Sequence, residues 1–173
     1  MPCTSVSALN SLPGEYILPP PSVLPPEPAG PVPDIEECRV LWDEKNMQPH
    51  IRAHCQMVAN IAMWIGKQAQ NAGIALDLNE LLAAALLHDI AKPYTIQHGG
   101  NHAQLGASWV RQRIKNPRIA QCVLFHVHWP WELNAWKWPM PLIVQYADKR
   151  VMHDAFVTID ERFADLMKRY GTT

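Results

Sequence analysis

The chain has 173 residues, with 15 Lys and Arg against 16 Asp and Glu, a formal net charge of -1. That length holds one domain with a real core and little more. The charge balance argues against a broad electrostatic footprint for duplex DNA or an anionic membrane, while leaving room for a small local phosphate site.

Residues 1 to 34 differ from the rest, since ten of the sixteen prolines lie there, most densely in LPPPSVLPPEPAGPVP. Proline fixes its own φ and lacks a donor, so neither a helix nor a central strand can form. A Pro-rich extension over residues 1–34 is expected, disordered or polyproline-like. Tyr16, Ile17, Leu18, Val23 and Leu24 leave surface docking open. The domain proper is expected over residues 35–173.

From Asp34 onward the signals are helical. DIEECRVLWDEKN opens on an N-cap candidate with acidic residues in its first turn. HIRAHCQMVANIAMWIGKQAQNAG is a long amphipathic pattern closing at Gly73. DLNELLAAALLHDIAK starts at a possible Asp77 cap and is expected to run to Lys92, before Pro93. NHAQLGASWVRQRIK and PRIAQCVLFHVH predict two more helices, the second with Pro117 at its start. PLIVQYADKRVMHDAFV and TIDERFADLMKRY complete the series. No alternating pattern of useful strand length stands out. The fold class is therefore all-α, with about six or seven helices.

Three of these helices carry a polar group where an apolar one belongs. His54 shares a helical face with Val58, Ile61, Ala62 and Ile65. Alone it reads more readily as a hydrogen-bonded core histidine than as a ligand. His88 and Asp89 follow seven consecutive apolar residues, either as a buried hydrogen-bonded pair or as ligands at a helix edge. Asp148 shares a face with Val144, Val151 and Ala155. A buried carboxylate without a partner is costly. One shared cation explains all three anomalies together, because imidazole and carboxylate are good ligands for divalent metals. No segment approaches the ~20 apolar residues of a membrane span, and the N-terminus lacks the features of a signal peptide. The cysteines, Cys3, Cys38, Cys55 and Cys122, form no CxxC pair and read as reduced thiols of a cytoplasmic protein.

The ordered set His54, His88-Asp89, Asp148 resembles the HD-domain metal-dependent phosphohydrolases, a superfamily named for its doublet. RAHCQMVANIA is similar to the family's first-histidine helix, LLAAALLHDIAK to its doublet motif with the trailing Lys92, and VQYADKRV to its final-aspartate helix. The resemblance spans roughly residues 36 to 170. It implies a helical bundle and a metal site ligated by His54, His88, Asp89 and Asp148. NHAQLGASWV and VLFHVHWPW add His102 and His126. These resemble the second-metal ligands of subgroups that include cyclic-dinucleotide phosphodiesterases and dinucleoside-tetraphosphate hydrolases, in which the doublet aspartate, here Asp89, is the bridge. The Gly-Tyr-Pro element of the cyclic-di-GMP enzymes is absent, which counts against that substrate.

The expected function is hydrolysis of a phosphate ester or anhydride, of a nucleotide or dinucleotide, through a metal-activated water. One or two divalent ions are expected, among Fe, Mn, Co, Ni, Mg and Zn. Asp89 and Lys92 are the catalytic candidates. Lys92 would neutralise phosphate charge, against the plainer role of a solvated lysine at a helix end. His98, His128, Trp129 and Lys149 are further candidates for substrate contact, with Arg52 and Arg150 weaker. HWPWELNAWKWPMP crowds Trp129, Trp131, Trp136 and Trp138 together. Packing of the loop onto the helices is favoured there over an aromatic wall for a base. Two other functions fit the same residues, a di-iron oxygenase and a non-catalytic nucleotide-binding regulatory domain. Assembly into a homo-oligomer is left open.

Overall fold

Asp34 opens the first helix through a capping box. Its carboxylate accepts from the Glu37 amide, and Glu37 in return accepts from the Asp34 amide, both at 2.8 Å. The computed structural model describes residues 29–171, so most of the Pro-rich extension, its docking candidates and Cys3 lie outside the described residues. Helix α1 spans Ile35–Glu44. Helix α2, Pro49–Asn71, starts on a proline, whose missing donor costs nothing there. It ends through Gly73, at φ 86°, a left-handed turn that favours glycine. Asp77 caps α3, Leu78–Leu87, by accepting from Asn79 and Glu80.

Helix α3 stops at Leu87 rather than running on to Lys92. Residues 88–91 form a turn, and a short helix α4, Lys92–His98, follows. Pro93 therefore does not end a helix. It occupies the second position of a new one, where a proline is tolerated. Asn101 caps α5, His102–Ile114. Asn116 caps α6, Pro117–Phe125, which ends before His126 instead of reaching His128. Helix α7, Pro139–Lys149, also ends early. The segment expected to continue it forms an antiparallel hairpin, β1 Val151–Met152 with β2 Ala155–Phe156. A second capping box, Thr158 with Glu161, opens α8, Ile159–Tyr170. The fold is all-α, and this hairpin is the only sheet among the described residues.

Helix α3 is the hub, packed against α1, α2, α6 and α7, while α5 packs on α6 and α2 on α7. Leu81, Leu86 and Leu87 of α3 are fully buried with Val58, Ile119, Val123 and Val144. The apolar run before the doublet thus anchors it rigidly. At the far end of α3, the buried Glu80 accepts from Asn116 Nδ2 at 3.0 Å and lies 3.0 Å from Arg118 Nε. The same Asn116 amide donates to the carbonyls of Gly30 and Pro31, at 3.2 and 3.3 Å. This approach requires Gly30, because a β-carbon there would stand 2.3 Å from the Lys115 carbonyl oxygen. Residues 30 and 31 are thereby strapped to the start of α6. Among the described residues, no helix is long and apolar enough to cross a membrane.

Candidate metal centre

The helix ends that ran shorter than expected are where the polar side chains gather. His88 follows the last residue of α3 and His126 the last residue of α6. The final carbonyls of a helix lack intrahelical donors. Each ring supplies one. His88 Nδ1 donates to the Ala85 carbonyl and His126 Nδ1 to the Val123 carbonyl, both at 2.7 Å. His54, on the buried face of α2, donates from Nδ1 to the His153 carbonyl at 2.8 Å. In a neutral ring the other nitrogen, Nε2, is then a bare lone pair. Fixing the tautomer in this way is how proteins prepare imidazole to ligate a metal.

All three Nε2 atoms face carboxylates. His54 Nε2 lies 3.0 Å from Asp148 Oδ1, and His88 Nε2 lies 3.7 Å from the same oxygen. Asp89 stands between two groups. Its Oδ2 faces His88 at 3.6 Å and His54 at 3.8 Å. Its Oδ1 faces His102 at 3.2 Å and His126 at 3.7 Å. His102, the first residue of α5, brings its Nε2 to 3.2 Å from that of His126. The ligand atoms of His54, His88 and Asp148 lie within 4.8 Å of one another, as do those of Asp89, His102 and His126.

A cation resolves this arrangement. His88 Nε2 and Asp89 Oδ1 are buried and have no hydrogen-bond partner, a costly state for polar atoms. Neutral rings that aim lone pairs at carboxylate oxygens would repel them, so the arrangement calls for positive charge there, either a proton on the ring nitrogens or an ion among the groups. Burial pushes the Asp89 carboxyl up, but His88, the contacts from His102 and His126, and Lys92 outweigh it and hold the group well below the usual range. At Asp148 burial is likewise outweighed, first by the contacts from His54 and His88. Burial pushes His88 down, toward the neutral ring. Of the two ionised carboxylates, Asp89 has Lys92 at 2.6 Å from its Oδ2, and Asp148 has Lys149 at 3.8 Å from its Oδ2. The donor set of imidazole nitrogen and carboxylate oxygen suits a divalent transition metal. Cys55 also lies beside His88 and Asp89. Burial drives its thiol well above the ordinary value, so it is no thiolate ligand as it stands.

The other candidates divide. For Lys92, burial pulls the ammonium down but Asp89 more than restores it, so it stays charged and partly exposed. Lys149 Nζ lies 3.8 Å from Asp148 Oδ2 and donates to the carbonyls of His126 and Val127. His98 and His128 are exposed and join neither group; the His98 ring stacks on Tyr94. Trp129 is buried among Phe125, Trp131 and Trp138, with its indole donating to the Glu132 carbonyl. Arg52 pairs with Asp43, and Arg150 is held by the Val157 carbonyl and the Tyr146 hydroxyl. One contributor, His153, has no motif in the sequence to mark it. It contributes through its main chain, which leaves no mark in side-chain chemistry.

Comparison with family models matches the HD domain over residues 51–153, more than half of the chain. The searches of curated proteins and of solved structures returned no match. The matched span takes in His54, His88, Asp89, His102, His126 and Asp148, and the chain belongs to the HD-domain family.

Proposed function

We propose that residues 35–173 form a metal-dependent phosphohydrolase domain acting on a phosphate ester or anhydride of a nucleotide or dinucleotide. The observation that carries this reading is the placement of Asp89, with one oxygen turned to His54 and His88 and the other to His102 and His126. His54, His88 and Asp148 would hold one ion, His102 and His126 a second, and Asp89 would be common to both. Membership of a family whose members are generally metal-dependent hydrolases supports the same chemistry.

A divalent ion supplies a more acidic water and polarises a phosphoryl oxygen. The chain's own residues do the rest. The backbone carbonyls of Ala85, Val123 and His153 hold three imidazoles in the ligating tautomer before any ion arrives. Lys92 holds Asp89 Oδ2 by a charge-assisted contact and keeps part of its ammonium toward solvent, where it can meet phosphate oxygen. Lys149 offers a second cation beside Asp148. The buried ring of Trp129 supports a packing role for it, so the base of a nucleotide would lie against more exposed groups.

The test is metal analysis of anaerobically purified protein, coupled to a panel of nucleotides and dinucleotides. Two metal equivalents with release of orthophosphate or nucleotide are expected. A single equivalent would remove His102 and His126 from the ligand set. Absence of turnover with every metal would sink the hydrolase reading.

A further inference from the structure

His54 is held differently from the other two rings whose Nδ1 partners are known. His88 and His126 donate to carbonyls three residues earlier, in the last turn of their own helices. His54 lies in the interior of α2, where main-chain carbonyls are taken up by the helix ladder. Its acceptor is the His153 carbonyl, supplied by the hairpin that follows α7. The pairing of Val151 with Phe156 and Met152 with Ala155 leaves His153 and Asp154 as the two loop residues. His153 adopts φ 59°. Positive φ at such a loop position is usually left to Gly, Asn or Asp. An arginine fastens the base of the hairpin, since the Val157 amide donates to the Arg150 carbonyl and Arg150 Nε donates to the Val157 carbonyl.

We propose that the β1–β2 hairpin is the positioning element of the metal centre, and that His153 acts in it through its backbone. The left-handed turn aims the His153 carbonyl at His54 Nδ1. That contact keeps the proton on Nδ1 and leaves Nε2 facing Asp148. The exposed imidazole of His153 is dispensable. The hairpin directly follows the helix that carries Asp148, so it sets the separation of two ligands that come from α2 and α7. The consequence for metal affinity rests on the functional reading above. The consequence for the His54 tautomer does not, because it is read in metal-free protein.

The test compares His153→Gly, which accepts positive φ without strain, with His153→Val, whose β-branch opposes it. Long-range 1H–15N NMR of the metal-free protein reports whether His54 carries a proton on Nδ1, with or without a second one on Nε2 toward Asp148. Titration with Mn2+ alone and Zn2+ alone reports affinity. His153→Gly is expected to keep the Nδ1–H tautomer and wild-type affinity. His153→Val should shift His54 toward a mixture of tautomers and weaken metal binding by roughly 10- to 100-fold, the usual effect of losing an outer-shell partner. If His153→Val does not fold, His153→Ala replaces it, and must bind more weakly than His153→Gly. Unchanged tautomer and affinity in the β-carbon-bearing variants would overturn the proposal, as would a loss in His153→Gly as large as in His153→Val. If wild type binds neither ion, the functional reading fails while the tautomer comparison still decides the role of the hairpin.

Discussion

Replacing Asn116 by alanine removes a polar link between α3 and α6, the helices that end just before His88-Asp89 and His126. The Asn116 carboxamide oxygen accepts from the amides of Arg118 and Ile119, at 2.9 and 3.1 Å, and its nitrogen donates to Glu80 at 3.0 Å. Losing the cap costs about 1 kcal/mol. Losing the donor to a buried carboxylate costs about 2 kcal/mol more. The sum, about 3 kcal/mol, lowers Tm by roughly 10 °C in a chain of this size. Asn116→Asp separates the two contributions. It keeps the cap but sets a second carboxylate against Glu80, so at pH 7 it should be less stable than Asn116→Ala. Urea unfolding followed by circular dichroism, with EDTA present so that metal does not add to stability, measures both variants. Asn116→Asp as stable as wild type at pH 7, or Asn116→Ala within ~0.5 kcal/mol of it, would refute the reasoning.

Metal itself should stabilise the fold. A divalent ion at a hundredfold excess over its Kd adds about 2.7 kcal/mol, and Asp89→Asn should abolish the gain in a thermal-shift assay; a wild type that responds to no divalent ion would remove the metal from the account. Lys92→Met should lower kcat/KM by roughly tenfold to a hundredfold, or about 1.4–2.7 kcal/mol in the transition state, with the fold retained by circular dichroism; an unchanged rate would make Lys92 a bystander. Trp129→Ala should cost about 3–5 kcal/mol of stability and leave KM near wild type, whereas a raised KM in a fully stable Trp129→Phe would put the ring against substrate. Burial, helped by Asp34 and Glu37, pushes the Cys38 thiol from 9.0 to about 12. The unfolded chain releases that proton first. The corresponding stability is therefore complete below pH 9 and is lost as the pH rises toward 12, at no more than about 1.4 kcal/mol per pH unit. The stability gap between wild type and Cys38→Ala should narrow from pH 8 to pH 10.5, and a constant gap would contradict the burial argument.

Much of the candidate site was legible because it is written as a conflict. His54, His88, Asp89 and Asp148 are polar residues on faces whose other positions are apolar. Such a conflict is visible wherever helical periodicity is visible. Helix starts were legible for a related reason. Asp34, Asp77, Asn101 and Pro117 act within four residues of themselves, so their chemistry does not wait for tertiary structure. Helix ends were harder to read. The pattern over residues 77–92 and 117–128 continues past the true ends at Leu87 and Phe125, where the His88 and His126 rings take up last-turn carbonyls.

The sequence by itself determined the helical class, the helix starts other than that of α4, and His54, His88, Asp89 and Asp148 as polar residues on apolar faces, since these follow from contacts within a turn or two of the chain. Only the tertiary structure decided which oxygen of Asp89 faces which histidines, that Asn116 ties α6 to Glu80 of α3, that Trp129 is buried, and that a hairpin replaces the end of the expected last-aspartate helix. The physical reason for the contacts of Asp89 with His54, His102 and His126, and of Asn116 with Glu80, is that they join groups distant along the chain. The partner that holds His54 is likewise a main-chain carbonyl 99 residues away, a group that every residue possesses and that only the fold can single out.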